Sequence, residues 1–236
     1  MGKPAGFFLP RERGDRMVAV NLRLFVAALT ALFLALLLAL PWKVEDWQAL
    51  LFWTAVTALL AQPSVPLSLL GNVSLHFLGA LTLVFSCSPP AAALAASLAL
   101  PLAGRPILLE RELFNRSQVG LATLAASWVH AANPGIVGAF LAGAAYFLVN
   151  TAAMLLLAWV RYALPPLYAW RRNFAPYGPT YVAGALGGTL SGVLGGIGVT
   201  LPLRVALASF LAFYLFALGP LHPRRLEEVE AMGKAS

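Results

Sequence analysis

The sequence predicts an all-α fold, that of a polytopic integral membrane protein with six to eight transmembrane helices. Two stretches, 47–104 and 117–160, contain no Lys, Arg, Asp or Glu over 58 and 44 residues. A charged side chain at the bilayer centre costs about 2.5–3.5 kcal/mol, so spanning helices exclude charge. The composition agrees, because 60% of the residues are hydrophobic, 11% are charged and the mean hydropathy is +0.81.

At roughly 20 apolar residues per span, hydropathy predicts eight candidate helices and leaves no room for a separate aqueous domain. The first candidate helix is too long for the apolar segment of a signal peptide, and the bulky Trp42 at its end makes a poor cleavage site. We therefore expect this helix to be retained. The second, fourth and fifth are short, which would lower the count to six or seven if they break or lie in the interface. The candidate helices cover residues 18–41, 48–62, 66–87, 90–104, 117–132, 136–160, 178–198 and 203–220.

The basic residues predict the topology. With eight spans and the N-terminus in the cytoplasm, 14 of the 16 Lys and Arg residues fall on the cytoplasmic side, and only Lys43 and Arg204 fall outside. This distribution follows the positive-inside rule. We therefore expect an inner-membrane, multi-pass protein with both termini cytoplasmic: a basic tail (1–17), a transmembrane domain (18–220) and a short C-terminal tail (221–236).

Small residues recur at helical spacing in two of the spans. In the seventh they occupy Gly184, Gly188, Gly192 and Gly196, a spacing that lets another helix approach closely. This pattern predicts a helix-packing face, whose partner is either the same chain or a second protomer. Ala27, Ala31, Ala35 and Ala39 form a weaker stripe on the first span.

Polar side chains within apolar segments are the candidate ligand-binding residues, because a buried amide or imidazole needs a partner. Two readings stay open for them: hydrogen bonds between helices, or the lining of a polar cavity for a small molecule. His130 and Asn133, next to Pro134 and Gly135, are expected in a solvated outer loop. The candidates are Asn72 and His76 near the third span, Gln118 in the fifth and Asn150 in the sixth.

Catalytic and metal-binding patterns are absent from the sequence. No acidic residue lies in a predicted span, and no phosphate-binding loop, GxSxG or HExxH motif occurs. His76, His130 and His222 are far apart, which argues against a metal site, and Cys87 has no partner for an internal disulfide. We therefore expect no enzyme activity, no metal and no cofactor. The pI near 10.1 reflects cytoplasmic arginines facing anionic lipids rather than nucleic-acid binding.

Three short stretches together resemble the multi-span N-terminal membrane region of bacterial signalling proteins with HD-GYP or GGDEF output domains. They are the run around Phe114, Asn115 and Gln118, the run from Tyr146 to Thr151, and the run from Trp170 to Asn173. Only residues 221–236 follow the last span, so the resemblance implies an input module without the family's enzyme. Asn115 is also placed to cap the fifth helix by accepting from the backbone N–H of Ser117 or Gln118.

The chain also resembles, more weakly, the S components of energy-coupling-factor transporters. They are of similar size, and they use small-residue faces on the first helix to dock a membrane partner, as the alanine stripe would. The function expected is a non-enzymatic, sensor-like or accessory membrane module that binds a small ligand, a membrane protein partner or a second copy of itself. The alternative is a solute-binding transporter subunit, and a membrane-embedded enzyme is the third possibility.

Overall fold

The computed structural model describes residues 12–44, 46–62, 64–67, 71–74, 76–102 and 108–175. These ranges are mainly helical, as predicted, but they also contain a β-hairpin that the all-α prediction missed. The predicted seventh and eighth spans, including the glycine series, lie outside the described residues. The elements are α1 (Glu12–Ala39), α2 (Trp47–Ala61), β1 (Ser64–Leu67), β2 (Gly71–Ser74), α3 (His76–Ser86), α4 (Pro89–Leu98), α5 (Leu109–Ala132), α6 (Ile136–Tyr162), α7 (Pro166–Ala169) and a π-helical turn (Trp170–Phe174).

The hairpin corrects the predicted helix 66–87. β1 and β2 pair antiparallel, with Ser64 opposite Ser74 and Leu67 opposite Gly71. Pro66 lacks a backbone N–H and would interrupt a helix at this point, whereas it is tolerated in an isolated two-stranded pair that has free edges. The helix therefore begins only at His76.

Two further helix boundaries differ from the prediction. α4 ends at Leu98 instead of reaching 104, and α5 begins at Leu109 instead of 117. Asn115 consequently lies inside α5, so the prediction that it caps this helix is wrong; the N-cap residue is Leu108. α3 and α4 have 11 and 10 residues. At 1.5 Å per residue each is about 16 Å long, roughly half the hydrocarbon thickness of a bilayer, so neither crosses it alone.

α3 lies at the centre of the helix packing. Every residue from Phe77 to Val84 is buried, as expected for a helix that is apolar on all sides and surrounded by others. α2 approaches it closely at Gly79, where an added Cβ would lie 2.7 Å from the Thr57 Cα. α1 and α4 approach α5 at Gly120, whose added Cβ would collide with the Phe33 ring.

Consecutive helices alternate in direction. The α1–α2 and α3–α4 connections and the C-terminal turns of α5 line one cavity and so share one end of the molecule, here called the loop end (43–44, 46, 86–89 and 130–135). The opposite, arginine end carries Arg23, Arg111, Arg116 and Arg161, and Arg23 pairs with Glu110 there at 3.2 Å. Among the described helices, the segment Asn21–Ala39 within α1 and the whole of α6 are long and apolar enough to cross a membrane.

Candidate functional site

Gln118 and Asn150 lie at the same depth in the molecule. α5 and α6 form an antiparallel pair, and the two residues are equally far along the chain from Pro134 in the connecting loop. Both side chains are more than nine-tenths buried. Gln118 Oε1, Asn150 Oδ1 and the neighbouring Thr151 Oγ1 are buried without a hydrogen-bond partner among the described residues. These three unpartnered oxygens are together called the interior polar cluster.

Thr151 differs from most hydroxyl-bearing residues of the described helices. The usual arrangement is a hydrogen bond from the hydroxyl to the carbonyl oxygen one turn earlier, which satisfies the group locally. Five side chains donate in this way over 2.6–2.9 Å: Thr54, Thr57, Thr82, Ser97 and Thr123. The Thr151 hydroxyl lacks such a bond although it is 1% exposed, so it remains able to bind another group.

His76 joins this region through Tyr146. The Tyr146 hydroxyl and His76 Nε2 are 3.2 Å apart, at hydrogen-bond distance, and Tyr146 lies one turn before Asn150 on the same face of α6. Asn72 is in β2, opposite Pro66. The sequence analysis did not single out Tyr146 as a site residue, although its four-residue spacing from Asn150 was the available signal.

A charged network separates the interior cluster from the arginine end. Arg116 donates to the carbonyl oxygens of Ser97, Leu98 and Leu100 at 2.8, 3.4 and 3.0 Å, and so caps the C-terminus of α4. It also pairs with the buried Glu112 at 3.5 Å. The Ser97 hydroxyl lies 2.9 Å from the Arg116 carbonyl oxygen and 2.8 Å from the Ala93 carbonyl oxygen, so these two acceptors share its single proton. These bonds give the network a structural role.

The described residues of the signalling-family motifs occupy packing positions. Phe114 is buried between Val26 of α1 and Ala153 of α6. Asn115 is half-buried within α5, and the Trp170 ring packs against Phe147 with centroids 5.5 Å apart. The fourth motif residue, Asn173, belongs to the π-helical turn that follows α7.

The loop end contains a cavity of about 330 Å³ that the sequence analysis did not predict. Three buried polar atoms in its lining, Ser88 Oγ, Ser127 Oγ and His130 Nδ1, have no hydrogen-bond partner among the described residues. The prediction of a solvated loop fits Asn133, which is exposed, but not His130, whose ring is half-buried edge-on against Phe85 at 4.7 Å.

The thiol of Cys87 also lines this cavity. Burial, with a smaller contribution from the Asp46 carboxylate, raises the pKa of the Cys87 thiol to about 11, because both effects disfavour the thiolate. The thiol is therefore protonated and weakly nucleophilic at neutral pH.

Within the described ranges, no group of three or more His, Cys, Asp and Glu side chains is arranged to hold a metal ion. Comparison with known proteins gives no match to a family model, a curated protein or a solved structure. The interior polar cluster and the loop-end cavity are therefore the features of the described residues that bear on function.

Proposed function

We propose that this chain is a multi-pass inner-membrane module without catalytic activity that binds a small ligand or a partner protein, in the manner of a sensor input or accessory subunit. The observation that carries the proposal is the interior polar cluster, in which three buried acceptor oxygens from α5 and α6 have no hydrogen-bond partner among the described residues. A buried acceptor without a partner costs about 1–3 kcal/mol, and a ligand that donates hydrogen bonds would recover that cost.

The outer surface supports the membrane placement. Large apolar side chains are exposed on α1, α2 and α6, among them Leu38, Leu59 and Leu148. Exposed aromatic residues lie toward both ends, as in the aromatic belts of membrane proteins. These are Trp42, Trp47 and Trp128 toward the loop end, and Trp159, Tyr162 and Tyr168 toward the arginine end.

The charges support a cytoplasmic arginine end. Arg23, Arg111, Arg116 and Arg161 are at that end, whereas the loop end carries Lys43. By the positive-inside rule the loop end then faces the outside, and this orientation agrees with cytoplasmic termini.

The hydrogen-bonding groups of the interior polar cluster limit the kind of molecule that it can bind. The unpartnered atoms are two amide carbonyl oxygens and one hydroxyl oxygen, all of which accept hydrogen bonds. The preferred occupant therefore carries N–H or O–H groups, whether it is a small molecule or a polar side chain of a partner helix.

A second candidate function, a solute-binding subunit of a transporter, is favoured by α1. Ala27, Ala31, Ala35 and Ala39 are all exposed, so the alanine stripe faces outward from the described helices. A flat small-residue face allows a neighbouring membrane helix to pack closely. The two functions differ in the partner expected: a signalling protein, or a transport permease with its ATPases.

The test replaces Asn150 with leucine in the full chain. We expect Asn150→Leu to leave the melting temperature in detergent nearly unchanged, since an interhelical polar contact averages only about 0.6 kcal/mol, and to remove a bound small molecule or co-purifying protein. Native mass spectrometry and pull-down would detect the loss. Asn133→Leu, at an exposed loop position, is the matched control. If Asn150→Leu unfolded most of the protein while the remaining folded fraction kept its bound material, Asn150 would have a structural role and the proposal would be refuted.

A further inference from the structure

Helix α3 begins about halfway through the molecule. It has 11 residues and is about 16 Å long, which places His76 that far from the loop end. Tyr146 gives a similar depth independently, because its hydroxyl is 3.2 Å from His76 Nε2 and it lies about 15 Å along α6 from Ile136. A further stretch of α6, about 24 Å long, separates Tyr146 from Tyr162 at the arginine end.

The β-hairpin starts and ends at this depth. Ser74 is two residues before His76, so at most about 7 Å separates their Cα atoms, and Ser64 is paired with Ser74. α2 ends at Ala61, three residues before Ser64. Residues 47–86 therefore enter and leave at the loop end, and the strands of their hairpin meet the helices midway between the two ends of the molecule.

A hairpin at this depth has backbone groups that need partners. The sheet has two strands in the described part of the chain, and each strand of such a pair directs about half of its N–H and C=O groups away from the other strand. Hydrocarbon cannot bond these groups, so non-helical backbone at membrane depth occurs only inside protein or next to water. Either protein or water must therefore contact the outer edges of the hairpin.

The exposure of His76 favours water. His76 is partly exposed, whereas every residue from Phe77 to Val84 is buried. Contact with hydrocarbon would desolvate the imidazole at a cost, but contact with water would not. α4 is antiparallel to α3 and has 10 residues, so it ends at a similar depth, and the Arg116 side chain that caps it is 23% exposed. Two polar side chains with accessible surface thus lie beside the ends of these two short helices.

We propose that the β-hairpin and the mid-depth ends of α3 and α4 line a water-filled recess, here called the hairpin recess. The buried residues 77–84 close it toward the loop end, so it opens at the arginine end and admits small hydrophilic solutes as far as His76. This inference rests on the membrane placement proposed above, and it adds the route by which a hydrophilic ligand enters the molecule.

Cysteine accessibility tests the hairpin recess. In a Cys87→Ala background, His76→Cys places a thiol at the start of α3, and Asn72→Cys and Val73→Cys place one in β2. The full chain in membrane vesicles is treated with a charged, membrane-impermeant methanethiosulfonate, which reacts with hydrated thiolates. We expect modification of His76→Cys and of one of the two hairpin variants, because successive residues of a strand lie on opposite faces.

Leu148→Cys is the matched control at the same depth. Leu148 is two residues after Tyr146 on α6 and is 58% exposed, so its thiol should contact lipid. We expect His76→Cys to react at least about tenfold faster than Leu148→Cys, since hydrocarbon excludes a charged reagent and keeps a thiol protonated. Tyr162→Cys marks the arginine end, and His76→Cys should react in vesicles of the orientation that exposes Tyr162→Cys.

The outcomes separate the hairpin recess from the membrane placement. Rates for His76→Cys and both hairpin variants as low as that of Leu148→Cys would show that protein covers the hairpin, and the recess would be refuted. Reaction of His76→Cys only in vesicles that shield Tyr162→Cys would overturn its opening at the arginine end. Fast reaction of Leu148→Cys as well would place α6 outside the bilayer, and would refute the proposed function together with the recess. Melting temperatures in detergent verify folding, and the hairpin variants carry the same test if His76→Cys does not fold.

Discussion

Buried hydroxyl groups show where single residues depart from ordinary helix packing. Most in the described helices donate to a carbonyl of their own helix, and Ser117 donates to Thr30 Oγ1 at 3.0 Å, which ties α5 to α1. Ser127 and Thr151 do neither among the described residues. Because a buried polar atom without a partner is costly, the Thr151 hydroxyl supports the interior polar cluster as the site proposed above.

Cys87 gives a pH-dependent prediction at the same scale. Because the pKa of the Cys87 thiol is raised to about 11, the fraction of thiolate still increases with pH in the range just above the pKa of an ordinary thiol, about 8.5, where an ordinary thiol is already mostly ionised. We expect the rate of alkylation by iodoacetamide to increase roughly tenfold per pH unit up to about pH 10. Mass spectrometry of quenched samples measures the rate.

The variant Asp46→Asn tests the cause of that shift. Removing the carboxylate charge should lower the thiol pKa and speed alkylation at a given pH below 10, while asparagine still caps α2. A wild-type rate that levels off below pH 9 would contradict the raised pKa.

Sequence reasoning identified Gln118, Asn150 and His76 because polar groups within apolar runs are visible without a structure. It could not identify Ser127 or Ser88, since serine is common in helices and loops and only the missing local bond sets these two apart. Gly79 and Gly120 were also invisible, because isolated glycines form no repeat; the collisions of an added Cβ depend on tertiary contacts.

Arg116 connects α5 to the C-terminus of α4 through hydrogen bonds to three carbonyl oxygens. We expect Arg116→Met to lower the free energy of unfolding by about 3 kcal/mol, because it removes the hydrogen bonds to the α4 carbonyls and the ion pair with the buried Glu112. Thermal unfolding in detergent measures the effect.

Two companion variants make the Arg116 test specific. Arg111→Met, on the exposed side of the same helix, should change the melting temperature little. Glu112→Gln, added to Arg116→Met, should recover part of the loss, because a neutral amide is less costly to bury than a carboxylate that has lost its ion pair with Arg116. Equal melting temperatures for Arg116→Met and Arg111→Met would show that the cap contributes nothing.

At the level of elements, hydropathy predicted α1, α2 and α6 to within a few residues, except at the N-terminus of α1. It misplaced the start of α5 because the first two turns of that helix carry Glu110, Arg111, Glu112 and Arg116, which a hydropathy profile assigns to a loop. It missed the hairpin because residues 64–74 carry no charge and lie next to the apolar helix α3, so hydropathy joined 66–74 to that helix; Pro66 and Gly71 were the signals of a break.

The whole molecule has an asymmetric charge distribution that supports one orientation. In a Cys87→Ala background, Pro134→Cys places a thiol in the exposed α5–α6 loop at the loop end, and Tyr162→Cys places one at the exposed C-terminal end of α6, next to Arg161 at the arginine end. We expect a membrane-impermeant maleimide to label Pro134→Cys in spheroplasts and to label Tyr162→Cys only after permeabilisation, because arginines favour the cytoplasmic side. The parent without cysteine controls for background. The reverse labelling pattern would invert the topology, and recovery of the protein in the aqueous fraction after an alkaline wash would remove it from the membrane altogether.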